Sequence, residues 1–193
     1  MECYYFGTFN PVHKGHVKTA QDVISNLGFD SVIFVPAYKP CHKENVINPI
    51  DRLNMLKLIE SKNLKVSDIE FKLPVPSYSF QTIKEILKNK KLGEKINCII
   101  GFDAFKNIGN WKNSDYIKQN VRFIVLKRNG EERTEIEKLK DKGYDFIIAD
   151  TIDTIDVSSS DIRKKVQTGF DISGLVDDKV KRYIDKNELY RRN

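Results

Sequence analysis

Two of the chain's three histidines fall in one short stretch, Gly7-Thr8-Phe9-Asn10-Pro11-Val12-His13-Lys14-Gly15-His16, which follows the opening apolar run. Gly7 permits a close backbone turn. Thr8 brings a hydroxyl and a backbone N–H to the start of the loop, and Pro11 stiffens it. His13 and His16 stand three apart at a predicted helix start, so their side chains occupy neighbouring faces of one turn. A helix N-terminus adds unpaired N–H groups and a partial positive charge. Backbone donors, two imidazoles and a helix dipole together make an anion site suited to phosphate. Two other readings of the same residues stand beside it. A histidine near a helix start can serve as a cap or lie in solvent, and His-x-x-His can ligate zinc. The zinc pattern lacks a third ligand nearby.

Four further places carry usable chemistry. Ser158-Ser159-Ser160-Asp161-Ile162-Arg163 opens a predicted helix. Ser158 and Asp161 have capping-box spacing. Ser160 and Arg163 can present a hydroxyl and a guanidinium to one ligand, and arginine holds phosphate oxygens bidentately. Tyr78-Ser79 opens a helix after a proline-rich turn, where backbone N–H groups fit a carboxylate. Asp103 follows a predicted strand ending at Gly101, placed to accept ribose hydroxyls or to cap the next helix. Trp111, the only tryptophan, lies in the polar stretch Gly109-Asn110-Trp111-Lys112 and is either a packing residue or a stacking face.

The elements that must position these residues alternate along the chain. Predicted strands cover Cys3–Phe6, Ser31–Val35, Lys65–Leu73, Ile96–Ile100, Val121–Leu126 and Phe146–Ala149. Helical periodicity covers Lys14–Leu27, with Gly28 as its stop, then Ile50–Glu60, Ser79–Asn89, a turn at Asp115–Lys118, a charged Glu131–Lys142, Asp161–Thr168 and Asp177–Lys186. This order implies βαβ units. The expectation is a single-domain α/β, Rossmann-like, doubly wound and mostly parallel sheet with helices on both faces and a C-terminal helical segment. Ligands then bind outside the carboxyl ends of the strands, where strand order reverses. The candidate residues fall just after strands.

Composition narrows the class. The chain has 193 residues, 40% apolar and 31% charged, an ordinary globular balance for one domain. No run approaches the roughly 18 apolar residues of a membrane span, and the first residues lack the n- and h-regions of a signal peptide. Cys3, Cys41 and Cys98 are odd in number and widely spaced, so a disulfide framework is not expected and a cytoplasmic setting is. The net charge of +6 suits phosphate ligands, nucleic acid or an acidic surface without choosing among them. Most of it is lysine interleaved with acids, a solvated excess.

The loop Gly7-Thr8-Phe9-x-Pro11-x-His13-x-Gly15-His16 resembles the signature of the HxGH nucleotidyltransferase superfamily, and the chain more narrowly resembles bacterial nicotinate-nucleotide adenylyltransferases. Phe34-Val35-Pro36-Ala37-x-x-Pro40-x-His42-Lys43, Pro76-Ser77-Tyr78-Ser79, Ile99-Ile100-Gly101-x-Asp103 with Trp111, Val157-Ser158-Ser159-Ser160-x-Ile162-Arg163, and the ending Asp178 to Tyr190 follow that family's order. Departures stand at Phe6, Asn10, Cys41, Ser79 and Phe102, where the family commonly has Gly, Asp, Pro, Thr and Ala. The resemblance implies transfer of AMP from ATP to nicotinate mononucleotide, releasing pyrophosphate, in NAD biosynthesis. It implies catalytic roles for His13, His16, Thr8, Lys43 and Arg163, and ATP contacts at Gly7, Phe9, Gly15, Ser159, Ser160, Ile162 and Gly101. His42, Tyr78, Ser79, Asp103 and Trp111 would meet the acceptor. Mg²⁺ is expected on the ATP phosphates and water, with no protein ligands. The implied division is a core of 1–157 and C-terminal helices, 158–193, completing the ATP site. Partners would be the two nucleotides, not nucleic acid or membrane, with a homo-oligomer left open. The alternatives are a sister adenylyl- or cytidylyltransferase with another acceptor, and a basic nucleotide- or nucleic-acid-binding module without catalysis.

Overall fold

The opening apolar run becomes the centre of the sheet. In the computed structural model, which describes residues 1–41, 43–127, 140, 142–149 and 157–191, the strands are β1 (Glu2–Gly7), β2 (Ser31–Pro36), β3 (Leu64–Val66), β4 (Ile96–Gly101), β5 (Val121–Leu126) and β6 (Asp145–Ile148). They lie in the order β3-β2-β1-β4-β5-β6. Every pairing among the described residues is parallel, so the sheet is wholly rather than mostly parallel there. Strand order reverses beside β1, where Tyr5 pairs with Phe34 on one side and Ile99 on the other.

Alternation along these strands feeds two separate cores. Cys3, Phe34, Ile99 and Ile124 point to one face, covered by α1 (Lys14–Leu27) through Ala20 and Val23 and by α2 (Pro49–Lys57) through Met55 and Leu56. Tyr4, Val35, Cys98, Ile100 and Phe123 point to the other. That face is covered by α3 (Ser79–Leu87), α4 (Phe102–Lys106) and α5 (Ser114–Asn120) through Ile83, Phe105 and Ile117. The last helices, α6 (Ser159–Gln167) and α7 (Asp178–Lys186), return to the first face, where Ile162, Val180 and Ile184 are fully or almost fully buried. Tyr183 anchors α7 to α2. Its hydroxyl donates to Asp51 at 2.8 Å and accepts from Asn54 at 3.1 Å.

Three expectations need correction. The predicted strand Lys65–Leu73 is only β3, followed by a 3₁₀ turn at Ile69–Lys72. The alternation does not continue as a strand because Glu70 turns inward, 6% exposed, to accept hydrogen bonds from Thr82 and from the backbone of Tyr38. Helix α4 was not foreseen, since it is five residues long and starts directly on the strand end at Gly101. The helices α2 and α3 stop at Lys57 and Leu87, short of the predicted ends at Glu60 and Asn89. The charged segment predicted at Glu131–Lys142 lies almost entirely outside the described residues.

Lysines pair locally with acids, as in Lys72 with Asp68, Lys88 with Glu85 and Lys118 with Asp115. Exposed pairs of this kind contribute little to stability. They do account for much of the positive surface as ordinary solvated charge.

Candidate active site

The carboxyl ends of β1, β4 and β5 open into a cleft of about 690 Å³ at the strand-order reversal. Its walls include Gly7, Thr8, Phe9, Asn10, His13, Gly15 and His16 from the first strand–loop–helix unit. Lys43, Gly101 and Asp103 join them, as do Ser158, Ser159, Ser160 and Arg163 from the far end of the chain. The cleft therefore gathers most of the residues singled out in the sequence.

His13 is both a cap and a cleft residue. It is the N-cap of α1, and its Nδ1 accepts the His16 backbone N–H at 3.4 Å. His16 Nδ1 accepts the His13 backbone N–H in return, at 3.3 Å. A neutral imidazole whose Nδ1 accepts must carry its proton on Nε2. The reciprocal cap thus fixes one tautomer on both rings, each with a single Nε2–H donor. The rings stack with centroids 3.7 Å apart. Burial lowers the His13 pKa to about 4. Burial, then His13 and Lys43, hold His16 well below its ordinary value. Both rings are neutral donors at neutral pH. Phe9, 2% exposed, packs edge-on against His16 at 5.0 Å and supports it from the core. A Cβ on Gly7 would lie 2.7 Å from the Phe9 ring, so any larger residue there must displace Phe9 or the loop.

The opposite wall comes from α6. Ser158 caps that helix by accepting the Asp161 N–H at 3.1 Å, so the capping alternative holds for Ser158. Ser160 and Arg163 are free of that task. Arg163 donates to Ser160 Oγ at 3.2 Å and to the Asn10 carbonyl at 2.8 Å. Ser159 donates to the Pro11 carbonyl at 2.8 Å. Tyr190 donates to Asn10 Oδ1 at 2.9 Å. The chain's end therefore grips the Asn10–Pro11 segment of the first loop by three side chains. Ile162 does not line the cleft. Its side chain is fully buried in the core, one residue round the helix from Arg163.

Lys43 reaches the cleft from an exposed loop. Desolvation, then Arg163 and Arg52, pull its pKa below the ordinary lysine value. His42 lies outside the described residues. Asp103 lines the cleft from the first turn of α4, whose N-cap is Gly101 rather than Asp103. Tyr78, Ser79 and Trp111 do not line this cleft. Tyr78 is the N-cap of α3 and makes no side-chain cap bond, so the amides of that helix start have no side-chain cap from it. Lys112 Nζ sits 4.4 Å over the Tyr78 ring. Trp111 packs partly buried against the second core, in line with its packing alternative.

Sequence reading missed Tyr190 and Arg52 as parts of this arrangement. Nothing in the local pattern points to Tyr190, because its partner is 180 residues away. Arg52 had a signal: it falls on the apolar stripe of α2 with Met55 and Leu56, where a charged side chain needs partners.

The fold and the cleft are those of a nucleotidyltransferase: an all-parallel doubly wound sheet with imidazole, ammonium, guanidinium and hydroxyl groups at its switch point. The cytidylyltransferase-like family matches residues 4–165. A Fusobacterium nucleatum protein named "Probable nicotinate-nucleotide adenylyltransferase" is 36% identical over 96% of this chain and 97% of its own length. A protein of the same name from Thermoanaerobacter sp. is 36% identical over 97% of this chain and 92% of its own. Among solved structures, the Plasmodium falciparum nicotinic acid mononucleotide adenylyltransferase complexed with NaAD aligns at a TM-score of 0.79 and 19% identity, covering 98% of this chain and 96% of that one. That likeness concerns the fold. The chain belongs to the cytidylyltransferase-like family and, within it, to the nicotinate-nucleotide adenylyltransferases.

Proposed function

We propose that the protein transfers the adenylyl group of ATP to nicotinate mononucleotide, giving nicotinate adenine dinucleotide and pyrophosphate in NAD biosynthesis. The observation that carries this reading is the pair of neutral, reciprocally capped imidazoles, His13 buried and His16 half-buried, lining one cleft with Lys43 and Arg163 at the switch point of a chain with relatives of that name over nearly its whole length.

A 5′-phosphate oxygen of the mononucleotide attacks the α-phosphorus of ATP. The bond to the α,β-bridging oxygen breaks, and pyrophosphate leaves with the electron pair. The attacking phosphate is already ionised at neutral pH, so the site needs donors and cations more than a base. His13 and His16 offer Nε2–H groups at a helix start, with Thr8 beside them, to the reacting and leaving phosphates. Lys43 adds charge from the loop after β2. Ser159, Ser160 and Arg163 hold the outer phosphates, which makes residues 158–193 the part that completes the ATP side. Gly7, Phe9, Gly15 and Gly101 form the nucleotide cradle, and Ile162, which does not reach the cleft, acts only by packing α6 beneath it from the core. Asp103 accepts ribose hydroxyls.

The donor set suits polyphosphate oxygens, and among the described residues no group of three His, Cys, Asp or Glu side chains is arranged to hold a metal ion. It fits Mg²⁺ carried in on ATP and water, where the ion neutralises phosphate charge. The uncapped start of α3 at Tyr78 and Ser79 would take the nicotinate carboxylate, and the family resemblance assigns His42 and Trp111 to the same substrate. Among the described residues no helix is long and apolar enough to cross a membrane, and the cytoplasm is the proposed setting.

Pyrophosphate release by the purified protein, assayed over a panel of acceptors with ATP or CTP, tests the reading. ATP with nicotinate mononucleotide should be the productive pair. Turnover only with phosphopantetheine, or only with CTP, assigns the chain to a sister reaction. Binding of nucleic acid with steep salt dependence and no turnover would return it to a binding module.

A further inference from the structure

Arg52 is the bulkiest of the fully buried side chains, 1% exposed, and its guanidinium has no salt-bridge partner among the described residues. It donates instead to four backbone carbonyls: Nη1 to Thr8 at 2.8 Å and to Ala37 at 2.7 Å, Nη2 to Tyr38 at 3.0 Å, and Nε to Ile47 at 3.3 Å. These belong to three separate stretches: the loop after β1, the loop after β2, and the approach to α2. Buried carbonyls and a buried cation satisfy one another here, so neither is left without a partner.

The other side of the same peptide is held by an opposite charge. The Tyr38 N–H donates to Glu70 Oε2 at 3.2 Å, while the second carboxylate oxygen accepts from Thr82 of α3 at 2.8 Å. Residue 38 is therefore gripped at its carbonyl by Arg52 and at its amide by Glu70. One residue further on, Lys39 donates to Ser77 Oγ at 3.0 Å and accepts from the Ser77 N–H at 2.9 Å, directly before the start of α3. The backbone at Ala37, Tyr38 and Lys39 thus joins the Thr8 loop to the α3 start.

We infer that Arg52 and Glu70 are positioning residues which, by clamping Tyr38 from both sides, set the separation between the phosphate-binding loop at Thr8 and the acceptor-side start of α3. The inference rests on the proposed adenylyl transfer, because it assigns the two sides to ATP and to the acceptor. In-line displacement is sensitive to such spacing: each substrate can bind well to its own half while the attacking oxygen stands off line.

The test uses Arg52→Lys, which keeps the charge but cannot span three stretches of backbone, and Glu70→Gln, which keeps the shape but loses one of two acceptor oxygens. Steady-state kinetics are measured with the acceptor that wild type uses best, together with calorimetric affinity and stoichiometry for ATP and for that acceptor separately. For each variant kcat should fall by about 30- to 100-fold while both affinities stay within about threefold and full stoichiometry is kept. The double variant should cost about as much as the worse single one, because both act on one peptide.

A fall in kcat matched by a fall in binding stoichiometry or in the fraction folded overturns the inference, since that is what packing alone would give. Unchanged kcat in Glu70→Gln also overturns it, and that variant decides the matter if Arg52→Lys fails to fold. Fully additive losses overturn the shared clamp. If wild type proves to use another acceptor, the functional reading fails, whereas the clamp is judged on the same variants with that acceptor.

Discussion

The rings of His13 and His16 stack at 3.7 Å, and each Nδ1 accepts the other's backbone N–H. A helix cap and the two donors proposed to meet phosphate are thus built from the same two side chains. The cap assigns the proton to Nε2 on each ring, and the ring stack disfavours a second positive charge. The cleft thus presents two neutral donors in fixed orientation.

That arrangement has a pH signature. The folded-state pKa of His13 is lowered from 6.5 to about 4, so below pH 6.5 the unfolded chain binds a proton that the folded chain refuses. Stability on this account is full above pH 6.5 and declines as pH falls towards 4, by ~3 kcal/mol for His13 alone. His16 adds to the loss in the same direction. Urea unfolding across this range should show a steep acid limb in wild type. His13→Asn, which keeps an N-cap side chain, should flatten that limb and lower kcat by about 10²- to 10³-fold, the scale of losing one preorganised donor.

His16→Ala removes the acceptor of the His13 N–H and the second Nε2 donor. Turnover should be abolished while circular dichroism and ATP affinity remain close to wild type, because Lys43, Arg163 and the α6 side of the cleft are untouched. Undiminished turnover in this variant contradicts the role given to His16.

Much of this was legible in the sequence because local rules carried it. Helix α1 begins and ends where Lys14–Leu27 periodicity and Gly28 place it, and β5 occupies the predicted Val121–Leu126. The loop chemistry around His13 and His16 also shows in spacing, because helix starts are local objects. What did not show is long-range. Glu70 reads as the exposed member of an alternating strand until Thr82 and Tyr38 are seen to need it. Arg52 stands out on the apolar stripe of α2, but the stripe does not say which carbonyls it meets, and the local pattern assigns Tyr190 no partner. The Thr8 carbonyl that Arg52 reaches lies 44 residues away and the Asn10 that Tyr190 meets lies 180 away, and no periodicity records that.

Gly7→Ala tests the close approach beneath the loop. The new methyl would stand 2.7 Å from a Phe9 ring that is itself wedged among Tyr5, His16 and Phe34. Relief requires moving Phe9 or the loop, at a cost of about 1–3 kcal/mol for an overpacked core. Because Phe9 supports His16, activity should fall by more than the loss of folded protein explains. Thermal unfolding and kcat on the same preparation separate the two.

Tyr190→Phe tests the grip of the chain's end on the first loop. The Tyr190 hydroxyl, in a side chain 9% exposed, donates to Asn10 Oδ1, which is also buried. Phenylalanine keeps the packing and leaves the amide oxygen without its donor, a loss of about 1–3 kcal/mol. The consequence should not stop at stability. Asn10 also offers its carbonyl to Arg163, and Pro11 offers its own to Ser159, so loosening Asn10 loosens the α6 wall of the cleft. KM for ATP should rise several-fold, while the affinity for the acceptor alone, measured by calorimetry, stays as in wild type. The side chains that reach Asn10 and Pro11 from beyond residue 157 are Ser159, Arg163 and Tyr190, and the first two belong to the wall proposed to hold ATP. A variant that loses stability with KM for ATP unchanged would show that this clasp holds the fold without shaping the site.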